Sequence, residues 1–321
     1  MILGTLCLLL ALVAVTQWRA HAREARVAAA YPPSGQLIAH GSRRIHAQVM
    51  GDGPDLVLIH GASGSLREFT FDLAHKLKDR YRVILLDRPG LGWTDRVSPR
   101  FEGPLNRAAE SPAEQAEMLQ VAADALEVQN PIILGHSFGG AVALAWALSR
   151  PEETAAVVMV AGVSQPWPGK LDLQYRMMDT LPGNLLAPPL IAAFTPQALI
   201  HDSVESIFAP QQMPDGYLEH IGPDLALRRQ TFRANAQQVN ALRPHVVEMS
   251  KHYPDLKMPV EILHGTADTI VPMAIHSEPL ARQIPGAVLT RLEGVGHMPQ
   301  HAAPDAVEAA IDRAAARAGL R

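Results

Sequence analysis

Between an apolar run at 131–135 (PIILG) and a helical stretch at 138–149, the chain reads Gly135-His136-Ser137-Phe138-Gly139, and little else in it leaves so few folds open. A serine at such a junction sits on a turn so sharp that the residues two before and two after it have no room for side chains. In return, its hydroxyl is exposed at the amino end of a helix. That geometry requires a buried strand on one side of the serine and, on the other, a helix packed back onto that strand. The pentapeptide therefore demands a sheet with helices on its faces.

The flanking sequence supplies one. Residues 36–40 and 43–50 read as a hairpin around Gly41-Ser42, and near-continuous apolar runs at 55–60, 82–87, 131–135, 155–161, 259–264 and 287–292 suit strands buried on both faces. Helical patterns fall between them, at 66–77, from Pro112 to about Val128, at 138–149 and from Pro304 to about Ala318. Ser111-Pro112-Ala113-Glu114 carries both a capping-box pattern and proline at the first helical position. The class is thus α/β, with a mostly parallel eight-stranded sheet and helices on both faces. From 163 to 256 no buried-strand run occurs, and 224–241 and 244–252 read as helices. So long an interruption predicts a helical cap inserted after strand six. The predicted units are a membrane anchor or signal segment (1–30), a first core part (31–162), the cap (163–256) and a second core part (257–321).

Composition narrows the function. A formal charge of −4 over 321 residues leaves no electrostatic footprint for nucleic acid, and a single cysteine, Cys7, forms no internal disulfide. No Cys/His cluster has the spacing of a structural zinc site, and no cofactor or metal is expected. Residues 2–18 carry no charge, end in Trp18 at an interfacial position and are followed by Arg19, Arg23 and Arg26. Three readings stand: a retained signal anchor, a signal peptide cleaved near Ala20 and Ala22 or Ala28 and Ala30, and a buried amino-terminal helix. The weak basic n-region favours retention over export, and sidedness stays open because Glu24 dilutes the arginines.

Near neutral pH a serine hydroxyl needs a base, and the base needs an acid to fix its tautomer. Asp268 follows the strand at 259–264, and His297 follows the strand at 287–292, in the order Ser, acid, His. His301 is the rival base, and Asp268 also suits a turn-capping role ahead of Pro272. For an oxyanion, the predicted donors are the backbone N–H groups of Phe138, which follows the nucleophile, and Ala62, in the loop after 55–60. Ser63 reads as an ordinary loop serine with a hydroxyl to spare.

His60-Gly61, Asp87-Arg88-Pro89-Gly90-Leu91-Gly92, the Ser137 turn, Asp268 and His297 resemble, in order, the motifs of the serine-nucleophile branch of the α/β-hydrolase superfamily. The likeness covers 36–162 and 257–321. It implies the α/β-hydrolase fold, an esterase- or lipase-like activity, Asp87 and Arg88 as loop organisers, and a cap lining an acyl or alcohol pocket. Serine at the nucleophile position disfavours epoxide opening and halide displacement. The chain departs from many relatives in lacking an acidic residue just after the histidine, where it reads Met298-Pro299-Gln300-His301-Ala302. The expected reaction is hydrolysis of a carboxylic ester of a small hydrophobic substrate through an acyl-enzyme, with Phe194, Phe208, Met213 and Leu218 as apolar cap residues. The same triad acting on a C–C bond or an amide, and a non-catalytic binding protein of the same fold, are the alternatives. Oligomeric state is left open.

Overall fold

The computed structural model describes residues 2–320. Its strands are β1 (Gln36–His40), β2 (Arg43–Met50), β3 (Asp55–Ile59), β4 (Arg82–Leu86), β5 (Ile132–His136), β6 (Ala156–Val160), β7 (Val260–Gly265) and β8 (Val288–Leu292). They form one sheet in the order β1-β2-β4-β3-β5-β6-β7-β8. The β1–β2 hairpin and the β2–β4 pair are antiparallel, and all other pairs are parallel.

Every residue of β3, β5, β6 and β7 is buried, which is why these strands read as apolar runs without alternation. The pleat still divides them. Val57, Ile59, Ile133 and Val157 face one core with α4 (Pro112–Ala125) and α5 (Phe138–Ser149). Leu56, Leu58, Leu134 and Val158 face the other, with α2 (Arg67–Thr70), α3 (Leu73–Leu77) and α13 (Pro304–Arg317). Two short helices, α11 (Ser277–Gln283) and α12 (Pro299–Ala302), follow β7 and β8. The capping box at α4 is formed: the Glu114 N–H donates to Ser111 Oγ at 3.1 Å and the Ser111 N–H to the Glu114 carboxylate at 2.8 Å. The helix ends at Ala125, short of Val128.

Between β6 and β7 lie α6 (Leu173–Met178), α7 (Leu181–Phe194), α8 (Gln197–Ser206), α9 (Tyr217–Ile221) and α10 (Arg229–Met249). Two expectations are corrected here and one earlier in the chain. The helices read at 224–241 and 244–252 are the single α10, which starts at Arg229 and runs through Pro244. Proline forfeits one helical hydrogen bond, but Leu242 and Val246 bury on either side of it in the core and carry the helix across. Residues 223–225 form a separate 3-10 turn. The helix read at 66–77 is broken into α2 and α3, because Asp72 takes a non-helical φ of −147° and its carbonyl starts a second helix.

The amino-terminal helix α1 (Ile2–Ala30) continues well past the uncharged stretch that ends at Trp18. Residues 2–15 are exposed, whereas Thr16, Ala20 and Val27 are buried. Ala20 packs on Ala192 and Ala193 of α7. Beyond it, Arg23 pairs with Asp224 at 2.6 Å and Glu24 with Arg229 at 2.8 Å. Arg19 reaches the Ala193 carbonyl at 3.4 Å and Arg23 that of Thr195, just past the end of α7, at 2.7 Å.

Candidate active site

Ser137 sits between β5 and α5 with φ 52° and ψ −119°, a conformation that costs a non-glycine residue about 1–3 kcal/mol. Three hydrogen bonds hold it there: its N–H to the Val160 carbonyl (3.1 Å), and its carbonyl from the N–H groups of Val163 (2.9 Å) and Gly140 (3.0 Å). The flanking glycines are sterically required. A Cβ on Gly135 would lie 2.4 Å from the Gly139 oxygen, and one on Gly139 would lie 2.2 Å from the Ile59 oxygen.

The turn presents Ser137 Oγ to His297 Nε2 at 3.0 Å. On the far side of the ring, His297 Nδ1 meets Asp268 Oδ2 at 2.8 Å. The structure therefore brings together the three side chains read from the sequence. Asp268 also plays the capping role, since its Oδ1 accepts the N–H groups of Ile270 and Val271 at 2.9 Å each. A second ring holds Oδ2: His264 Nε2 lies 3.1 Å from it and 2.6 Å from the Val271 carbonyl, while His264 Nδ1 faces the Ser277 hydroxyl at 2.5 Å. Burial pushes the Asp268 carboxyl up, but the hydrogen bonds from His264, His297 and Val271 outweigh it and keep the group well below the usual carboxylate range. For His297, burial is the largest influence and lowers its pKa, the Asp268 hydrogen bond opposes it, and the charge of nearby His136 lowers it further. His301 is not placed as a base. It packs among Phe71, Phe208 and Tyr217, and burial depresses it to about 4.

Phe138 N–H opens α5, and the loop carrying Ala62 passes beside the serine, where a Cβ on Gly61 would lie 3.1 Å from the Ser137 Cβ. Among the described residues neither the Ala62 nor the Phe138 N–H has an acceptor. The loop is held from three sides. Arg88 Nη1 donates to the Gly61 carbonyl at 3.0 Å, and His60 Nδ1 lies 2.9 Å from the same oxygen. From α10, Asn235 accepts the Ser63 N–H at 2.7 Å and donates to its hydroxyl at 2.9 Å, so Ser63 is more than an ordinary loop serine. Asp87 accepts the N–H groups of Leu66 (2.7 Å) and Trp93 (2.8 Å) and pairs with His46. Arg88 is fully buried, spans from Gln115 to Gln238 and stacks 3.8 Å from the centre of the Phe138 ring. Burial lowers its pKa to about 9.

Two residues escaped the sequence reading. Glu68 of α2 and His136, the residue before the nucleophile, form a buried pair at 2.7 Å. His136 Nε2 donates to the His297 carbonyl at 3.0 Å, and the two rings are 5.0 Å apart. Burial opposes charge on His136, but Glu68 more than offsets it and raises the pKa. Gln300 donates to Glu68 at 2.7 Å. The buried carboxylate on this side of the site thus comes from α2 rather than from the segment after His297. The apolar residues 163–256 do not share one pocket: Phe208 and Met213 cluster with Met298, next to His297, whereas Phe194 is exposed beside Arg19.

A family model described as alpha/beta hydrolase fold matches residues 54–304. A pimeloyl-[acyl-carrier protein] methyl ester esterase of Aeromonas hydrophila is 31% identical over 265 residues, covering 79% of this chain and 92% of that one. An uncharacterized protein of Mycobacterium tuberculosis is 29% identical over 315 residues, covering 90% of this chain and 87% of that one. Among solved structures, a bacterial membrane phospholipase A superposes with a TM-score of 0.67 at 21% identity, covering 98% of both chains, a likeness of fold. With its sheet order, its strained serine turn and a family match spanning most of its length, the chain belongs to the alpha/beta hydrolase family.

Proposed function

We propose that the protein is a serine hydrolase that cleaves carboxylic esters through an acyl-enzyme. The observation that carries this reading is the unbroken chain of contacts Ser137 Oγ, His297 Nε2, His297 Nδ1, Asp268 Oδ2. His297 takes the serine proton as Oγ attacks the ester carbonyl, then gives it to the leaving alcohol. Asp268 stays ionised and stabilises the imidazolium. The Ala62 and Phe138 N–H groups receive the developing oxyanion. Water, activated by the same imidazole, then releases the acid and restores Ser137.

Phe208 and Met213, set against Met298, support a hydrophobic substrate and a cap role for the helices between β6 and β7. The exposed apolar half of α1 supports a membrane anchor. Its continuous helix through Ala20, Ala22 and Ala28 supports retention rather than cleavage. Fluorophosphonate labelling tests the chemistry. The folded protein labels at one site, Ser137→Ala loses the label entirely, and a panel of short- and long-chain esters reports the acyl preference. Folded wild-type protein that takes no label refutes the reading.

A further inference from the structure

A cleft of about 590 Å³ lies away from Ser137, between α1, the loop after β4 and the start of α10. Five guanidinium groups line it, those of Arg44, Arg96, Arg228, Arg229 and Arg233. Three of them have carboxylate partners: Arg44 with Asp95, Arg96 with Glu110 and Arg229 with Glu24. Glu102, also in the wall, pairs with Arg43. Among the described residues, Arg228 and Arg233 have none. Arg228 donates to the carbonyls of Leu225 and Gly92 and lies over the Trp93 ring, and Arg233 donates to the Asn184 carbonyl at 3.3 Å.

A desolvated cation without a counter-ion is costly, and Arg233 is only 7% exposed. Burial lowers its pKa first, and repulsion from Arg96 and Arg229 lowers it further, so no carboxylate offsets the charge of Arg233; at Arg228 burial also lowers the pKa, and the charges of Asp87 and Glu24 only partly oppose it. Planar guanidinium forks match tetrahedral oxyanions. The other wall is apolar, with Leu185 and Pro189 of α7, and Leu185, Leu186 and Leu190 leave that helix exposed. Gln17 of α1, beside Trp18, borders the same cleft. A cationic floor, an apolar lip and a place at the foot of the uncharged helix together describe a site for an amphiphile with an anionic head.

We infer that Arg228 and Arg233 form a binding site for a phosphate oxyanion, supplied by the headgroup of a phospholipid at the surface that α1 enters. The lipid source rests on α1 being retained in a membrane; the anion site does not. Binding is measured by calorimetry on the full chain in neutral detergent, in the Ser137→Ala background so that hydrolysis of the probe plays no part. The probes are dihexanoylphosphatidylglycerol, dihexanoylphosphatidylcholine and inorganic phosphate. The phosphatidylglycerol is expected to bind at one site, at least tenfold more tightly than inorganic phosphate. Arg228→Gln with Arg233→Gln weakens it at least tenfold, whereas Arg243→Gln, on the exposed side of α10, leaves it unchanged. If the double variant fails to fold, Arg228→Lys keeps the charge but loses the fork, and a weakening of at least threefold carries the test. Equal affinity for inorganic phosphate and phosphatidylglycerol overturns the lipid source. No binding of any probe, or binding indifferent to these arginines, overturns the site itself.

Discussion

Glu68→Gln removes a negative charge from behind the candidate base without touching it. In the native protein His136 stands between Glu68 and His297, with Nδ1 2.7 Å from the carboxylate and Nε2 donating to the His297 carbonyl. The positive end of the pair therefore faces His297. Without its counter-charge, burial dominates at His136 and it gives up its proton, although the His297 carbonyl and the charge of Asp268 still favour the charged ring. A bare charge at the 5.0 Å ring separation is worth about 3 kcal/mol at an effective dielectric near 20, or roughly 2 pH units. Native Glu68 already cancels part of this, which leaves a net upward shift of about one unit on His297. The proposed reaction requires neutral His297, so activity is expected to fall as pH drops through its pKa, which lies below 6.5 in the native protein. The acidic limb of kcat/KM therefore moves up by about one unit in Glu68→Gln, and further up in His136→Gln, where the negative charge remains. A limb that stays in place or moves down in a folded variant refutes the argument. Stability gives a second check. The lowered carboxyl contributes stability above about 4.5 that is lost as pH falls through its folded value, and the raised imidazole contributes stability below about 6.5 that is lost as pH rises through its own. The loss of stability in Glu68→Gln is therefore largest between those limits.

Gly139→Ala forces a methyl to within 2.2 Å of the Ile59 carbonyl, which is backbone and has nowhere to go; thermal denaturation should show a loss of about 3 kcal/mol or more, or no folded protein, and a variant as stable as wild type contradicts the packing described. Asn235→Ala frees Ser63 next to the Ala62 amide; kcat should fall about tenfold with KM nearly unchanged, whereas a change confined to KM would make Asn235 a substrate-binding residue instead.

What could be read in the sequence was local. The Ser137 turn announces itself because the glycines two residues either side answer a steric demand made within five residues, and the Ser111 cap likewise closes within four. Asp268 and His297 followed from their places after strands, a matter of topology. Glu68 and His136 were invisible because an ordinary helix glutamate and a variable turn position meet across 68 residues of chain. The same holds for the length of α1. Nothing in residues 19–30 alone says that Arg23 and Glu24 close on Asp224 and Arg229, some two hundred positions away. Pro244 misled for the opposite reason, since its local preference to end a helix is overridden by the core contacts of Leu242 and Val246.

The clasp between Glu24 and Arg229 has a mechanical consequence. Arg229 is the first residue of α10, and Asn235, six residues on and about 9 Å along the same rod, grips the loop that carries the Ala62 amide. The amino-terminal shaft is thus not a slack tether. It is bolted to the same rigid rod whose Asn235 fixes Ser63, so shaft and loop share one mounting.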